Sequence, residues 1–233
     1  MKLGRTLLIF SFVSVLIVLF TGSCSKKGVV IPTPVPGSPV TDIEGNVYKT
    51  VVIGTQTWMA ENLKVTTYRN GDIIPNVADS TWSSLLTGAF CWYNNDSVKN
   101  RDIYGALYNF YAVKDARGLA PQGWHIPTDD EWSTLTTYLG GEDVAGTKLK
   151  EAGKTHWISQ DAGGTNETGF TALPGGSLYN IESFTNLGKY GYWWSATEYS
   201  DRNAWFRGMY FSAGVFRNNS AKISGYSIRC LKD

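Results

Sequence analysis

Ile126-Pro127-Thr128-Asp129-Asp130-Glu131-Trp132-Ser133-Thr134-Leu135 is the stretch on which the fold turns. Thr128 and Glu131 stand three residues apart behind a proline. At that spacing a threonine hydroxyl and a glutamate carboxylate satisfy each other's orphan backbone donors at a helix start. Acids in the first turn complement the helix dipole, which explains Asp129-Asp130-Glu131 better than a metal cluster does. Trp132, Leu135 and Leu139 follow at intervals of three and four, on one helix face, and Gly140-Gly141 ends the helix. A second short helix is predicted over residues 143–152, closed by Gly153.

Before this pair of helices, residues 46–60 read as a hairpin. Val47, Val51, Val52 and Ile53 are β-branched, Gly54-Thr55-Gln56 supplies a turn, and Thr57-Trp58-Met59 returns. Asn70-Gly71 and Asn94-Asn95-Asp96 are turn signals, and the apolar cluster in 104–113 predicts a short helix. After the helices, residues 155–191 are rich in Gly, Asn, Thr and Ser and read as long loops with short strands. Three strand-like runs close the chain, at 192–199, 204–211 and 224–231. The order predicts an α+β domain over residues 41–233.

The chain has 233 residues with 21 basic, 20 acidic, 3 cysteine and 2 histidine side chains. It lacks the basic excess that phosphate-backbone binding requires, so no nucleic-acid partner is expected. With 42% hydrophobic and 18% charged residues it is not a disordered chain. The N-terminus has a different character. Lys2 and Arg5 precede an apolar run, residues 7–20, that is short for a bilayer span and suited to a signal-peptide core. Thr21-Gly22-Ser23-Cys24 then resembles a bacterial lipobox, which implies a signal peptide over 1–23 and lipidation of Cys24. The expected address is the bacterial cell envelope, lipid-anchored in the outer membrane and facing periplasm or surface. Pro32, Pro34, Pro36 and Pro39 make residues 24–40 an expected spacer, extended at about 3.1 Å per residue.

Five motifs occur in order: Gly105-Ala106-Leu107-Tyr108-Asn109, Gly123-Trp124-His125-Ile126-Pro127-Thr128 with Glu131-Trp132, Gly169-Phe170-Thr171-Ala172-Leu173-Pro174-Gly175-Gly176, Trp193-Trp194-Ser195-Ala196-Thr197, and Ser227-Ile228-Arg229-Cys230-Leu231-Lys232-Asp233. Together they resemble the Fibrobacter succinogenes major paralogous domain family, found on secreted and lipid-anchored bacterial proteins. That family brings no settled activity with it. A more distant likeness, in residues 127–132 and 225–230, is to the formylglycine-generating sulfatase modifiers. It implies a C-type lectin-like domain with two main helices, long loops and a small antiparallel sheet.

Catalysis is not expected. The sulfatase modifiers use closely spaced cysteines as copper ligands, and no second cysteine lies near Cys230. His125 and His156 stand singly, as structural histidines usually do, and no P-loop, GxSxG or HExxH string occurs. No cofactor or metal is implied. The calcium-dependent sugar sites of animal lectins resemble Glu-Pro-Asn and Trp-Asn-Asp strings, which are absent. Sugar binding by aromatic platforms remains open: Trp157, Tyr190 and Tyr192 offer ring faces, with Asn166, Glu198, Asp201 and Asn203 as hydrogen-bonding partners. The expectation is an envelope module that binds a glycan or another envelope protein. The alternatives are an assembly subunit without a small ligand and, third, an uncharacterised enzyme. In an oxidising envelope, Cys91 and Cys230 are also expected to pair as a disulfide.

Overall fold

The structure, a computed structural model, describes residues 33–158, 163–178 and 183–233. The signal segment, Cys24 and the start of the proline stretch lie outside the described residues. The elements below belong to the unit Ile31–Asp233. In chain order they begin with β1 (Val35–Pro36), β2 (Val40–Thr41), β3 (Val47–Tyr48), β4 (Thr50–Ile53), β5 (Gln56–Met59), β6 (Phe90–Cys91), α1 (Ser97–Tyr104), β7 (Leu107–Tyr108) and α2 (Phe110–Val113). There follow β8 (Trp124–His125), α3 (Asp129–Tyr138), α4 (Glu142–Leu149), β9 (Gly175–Leu178), β10 (Phe184–Leu187), β11 (Gly191–Glu198), β12 (Asn203–Met209), β13 (Val215–Ala221) and β14 (Leu231–Lys232). The fold is α+β, as expected. Two five-stranded sheets, β1-β4-β5-β14-β8 and β10-β9-β11-β12-β13, are accompanied by separate two-stranded ladders, β2-β3 and β6-β7.

The hairpin forms where its sequence predicts it, β4 against β5 in the register Thr50↔Met59 to Ile53↔Gln56. Gly54, at φ +62°, takes the left-handed turn position. The spacer needs correction. It was expected to run free to Val40, but β1 pairs with β4 from Val35 onward, and the Gly37 amide donates to the Thr50 carbonyl at 3.0 Å. Pro36 suits this edge position, where one side of the backbone needs no ladder bond.

The predicted capping box opens α3. The Glu131 amide donates to Thr128 Oγ1 at 3.2 Å, and the Thr128 amide to Glu131 Oε2 at 2.8 Å. The following helix ends at Leu149, short of the predicted residue 152. Lys150 leaves it to turn inward, giving its Nζ to the carbonyls of Tyr210 and Ser212. In 104–113, Tyr104 ends α1 and only Phe110–Val113 forms a further helix, because Leu107–Tyr108 is taken by the ladder with Phe90–Cys91. The unforeseen α1 starts at Asp96, whose carboxylate accepts from the Lys99 amide.

The end of the chain differs most from expectation. Residues 224–231 are not one strand. Ser227 bridges to Trp193 in one sheet, while Leu231 pairs with Trp58 and His125 in the other. A segment that passes between two sheets pairs with each only briefly. Arg229 anchors the crossing. Fully buried, it donates to Asn62 Oδ1 at 2.9 Å and to the carbonyls of Met59 and Phe170. Trp193 Nε1 donates to the same Asn62 oxygen at 2.9 Å. Burial pulls the Arg229 pKa down to about 9, so the guanidinium remains charged at neutral pH. The motifs at 169–176, 193–197 and 227–233 thus meet at one hydrogen-bonded point.

Candidate functional site

Strands β11, β12 and β13 alternate their side chains between two unlike faces. On one face lie Trp193, Arg207, Met209 and Val215, paired across strands as Trp193↔Arg207↔Arg217 and Met209↔Val215. Helices α3 and α4 pack on this side. They close a core in which Trp193 joins Trp58, Trp132, Phe170 and Trp157. Asp129 carries the charge balance here: Arg207 Nη1 donates to its Oδ1, and Arg217 Nη2 lies 2.8 Å from Oδ2. Burial works against the charge on Asp129, but the two arginines outweigh it and hold the carboxyl below its ordinary range. A bulge in β11 between Trp194 and Glu198 frees Ala196 to bond the Pro127 carbonyl at 2.7 Å, and Thr197 Oγ1 accepts from the Asp129 amide.

The other face is covered in part: Trp194, Ala204 and Phe206 are buried in a core with Phe110 of α2 and Tyr226, and the rest borders a cavity. Its cross-strand rows are Tyr192↔Gly208↔Phe216, Trp194↔Phe206↔Asn218 and Ala204↔Ser220. Gly208 is needed there for space: a Cβ would meet the Phe216 ring at 2.1 Å. Without it, Phe216 reaches to 6.2 Å from the Tyr192 ring. Over this face lies a cavity of about 700 Å³. Tyr192, Phe206 and Tyr226 form its aromatic floor. Ser177, Ser183, Thr185 and Asn186 wall it from β9 and β10, and Asn203, Asn218, Asn219, Ser220 and Ala221 from β12 and β13.

No charged side chain is among the described residues lining the cavity. Of the charges adjacent to it in sequence, Lys222 pairs with Glu198 at 3.0 Å and Arg217 with Asp129, while Arg202, beside Asn203, is exposed. Part of the polar capacity is used internally. Asn186 donates to the Tyr192 hydroxyl at 3.0 Å, Asn203 to Asn219 Oδ1 at 2.8 Å, and Tyr226 to Ser220 at 3.0 Å. Among the described residues, the side-chain nitrogens of Asn218 and Asn219 and the side-chain oxygens of Asn186 and Asn203 remain for a ligand. Burial, with lesser help from the neighbouring Tyr226, raises the Tyr192 pKa, so its phenol stays neutral. The arrangement can hold an uncharged, hydroxyl-rich molecule against aromatic rings, with amides that both donate and accept.

The expected site residues divide. Tyr192 and Asn203 line the cavity, and Tyr190 stacks on Tyr192 at 5.6 Å. Glu198 is held by Lys222, and Asp201 is exposed in the turn between β11 and β12; neither lines the cavity. Trp157 is corrected from platform to core: it is 1% exposed and donates to the Ala172 carbonyl. Asn166 is corrected as well. At φ +50° it ties its own loop, donating to Thr171 Oγ1 and accepting from the Thr171 amide. The disulfide is also corrected, since Cys91 and Cys230 are both free and buried. Cys91 packs with Trp82 and Leu178, whereas Cys230 packs with Tyr48 and Ile228 in a separate cluster. Phe206, Tyr226 and the β13 asparagines were missed. The available signal was the alternation through Val215-Phe216-Arg217-Asn218-Asn219, which the asparagine pair disguises as a turn.

Among the described residues no group of three or more His, Cys, Asp or Glu is placed to hold a metal ion, and no helix is long and apolar enough to cross a membrane. The family model of the Fibrobacter succinogenes major domain matches residues 51–232. No curated protein and no solved structure matches the chain.

Proposed function

The chain belongs to the Fibrobacter succinogenes major domain family, and from that premise we propose that it is a lipid-anchored envelope module that binds neutral glycans. The observation that carries this reading is the cavity on the sheet face away from α3 and α4, with an aromatic floor, amide walls and no charge among its described lining residues. Aromatic rings take up the C–H faces of a pyranose, while asparagine amides pair with its hydroxyls. No cation is among the described lining residues to hold an anionic ligand. We also assign the domain to the C-type lectin-like fold. Support comes from two successive helices, a long loop region, an antiparallel sheet and a last strand returned beside the first hairpin.

A glycan array probed with the soluble domain tests the binding. Neutral oligosaccharides are expected to be retained equally with and without chelator, because no carboxylate is among the described lining residues. Retention of acidic glycans alone, or of none, would overturn the reading. The anchor has its own test. A Cys24→Ser protein should leave the detergent phase for the aqueous phase, and partitioning like the parent would end the lipobox assignment.

A further inference from the structure

The spacer enters the domain beside an apolar shoulder. The described residues open at Thr33, and Val35–Pro36 is already paired with β4. Thr33, Pro34 and Val35 border a concavity of about 280 Å³ that Tyr138 and Leu139, at the end of α3, also line. Two large side chains there face water: Tyr138 is 65% exposed and Val35 58%. The Tyr138 ring lies on Gly54 of the hairpin turn, where a Cβ would meet it at 2.9 Å. Lys148 and Glu167, the charged residues among the described lining, pair with each other at 3.4 Å.

We propose that this shoulder rests on the surface of the membrane that carries the anchor, so that the domain lies against the bilayer. The inference goes beyond the glycan reading and rests on lipidation of Cys24. Nine peptide links separate Cys24 from Thr33, and at full extension they span about 30 Å at most. The pairing of β1 with β4 takes residues 35 onward out of the expected spacer. A linker that short holds the shoulder at an effective concentration on the order of millimolar against the lipid, where a weak patch is enough. A tyrosine with a polar tip, beside a valine, suits the headgroup boundary. With its charges paired, the shoulder calls for apolar contact rather than attraction to anionic lipid. No described residue lines both this concavity and the glycan cavity, so docking takes up none of the groups assigned to the glycan.

A fluorophore on Thr137→Cys, an exposed position beside Tyr138, tests the docking in the full lipidated chain on phosphatidylcholine vesicles. Cys91 and Cys230 are buried and escape labelling in the folded protein. Lipids with spin-labelled headgroups should quench this fluorophore several-fold more than one on Asp201→Cys. Val35→Ser with Tyr138→Ser, with folding checked by circular dichroism, should bring the two positions level. A Gly/Ser insert after Lys27 that triples the linker should weaken the docking equilibrium about fivefold, the −3/2 power of length. Equal quenching at the two positions in the parent shoulder would overturn the docking while the anchor stands. Quenching at Thr137→Cys that survives both serine substitutions would overturn it too. A chain absent from the vesicle fraction would overturn the lipidation, and the docking with it.

Discussion

The two faces of the β11–β13 sheet are made by the same strands and share their backbone, yet they have opposite chemistry. The covered face is where the charge lies: Arg207 and Arg217 converge on Asp129 under α3. The opposite face carries Tyr192, Phe206, Phe216 and asparagines, and no charge lines its cavity among the described residues. A buried ion pair needs a partner held in place, and a helix start can supply one. A surface meant for a neutral, hydroxylated ligand needs weak, adaptable hydrogen bonds and rings instead. Trp58, Trp132, Trp157 and Trp193 are sealed in the helix-covered core, and Trp194 is buried behind the opposite face, whereas the cavity itself is lined by tyrosines, with polar tips, and Phe206.

The largest expected effect is on the covered face. Asp129→Ala leaves the fully buried Arg207 without its carboxylate, and should cost about 3–5 kcal/mol in denaturant unfolding. A loss under about 1 kcal/mol would mean that the arginine is satisfied elsewhere. Also on that side, Thr128→Ala removes the cap of α3 and should cost about 1 kcal/mol. The cavity face should behave in reverse. Asn218→Ala should change stability by less than about 0.5 kcal/mol and weaken glycan binding about three- to tenfold, one hydrogen bond's worth. A stability loss equal to that of Asp129→Ala would erase the distinction between the faces.

The smallest effect concerns pH. His125 Nε2 lies 2.9 Å from Glu131 Oε1, and Nδ1 lies 2.7 Å from Asp233 Oδ1. Burial opposes its charge, but the bonds to Asp233 and Glu131 outweigh this and raise its pKa. A raised histidine contributes stability that is complete below its unfolded value, about 6.5, and is lost as pH rises through the folded value. The melting temperature should therefore fall slightly from pH 5.5 to pH 8. His125→Gln should flatten that trend, whereas an unchanged trend would assign it to other groups.

Local signals made the hairpin, α3 and the start of β11 legible, because the capping box and β-branched alternation act within a few residues. The path of 224–231 between two sheets was not legible, since it depends on partners as distant as Asn62 and Trp58. The site was half legible for the same reason. Tyr190 and Tyr192 fall on or beside a predicted strand, whose alternation assigns a face, whereas Asn203 has the parity of Arg207 and lines the cavity from the very start of β12. Trp157 stands in a loop with no period to place it, and only the Ala172 carbonyl, fifteen residues on, decides that it is core. Cys91 and Cys230 pose a similar problem. Both are apolar and strand-like, and nothing local says that they belong to different clusters.

The central claim is that the cavity face, and not the one under α3 and α4, receives a neutral glycan. A nitrogen-15 titration of the soluble domain, following side-chain amides while adding the neutral oligosaccharide best retained on the array, tests it most directly. The account predicts that the amide pairs of Asn186, Asn203, Asn218 and Asn219 shift together and saturate, while that of Asn166 stays fixed. Saturating shifts confined to Asn166 and the backbone of α3 and α4, with the four cavity asparagines unmoved, would contradict it.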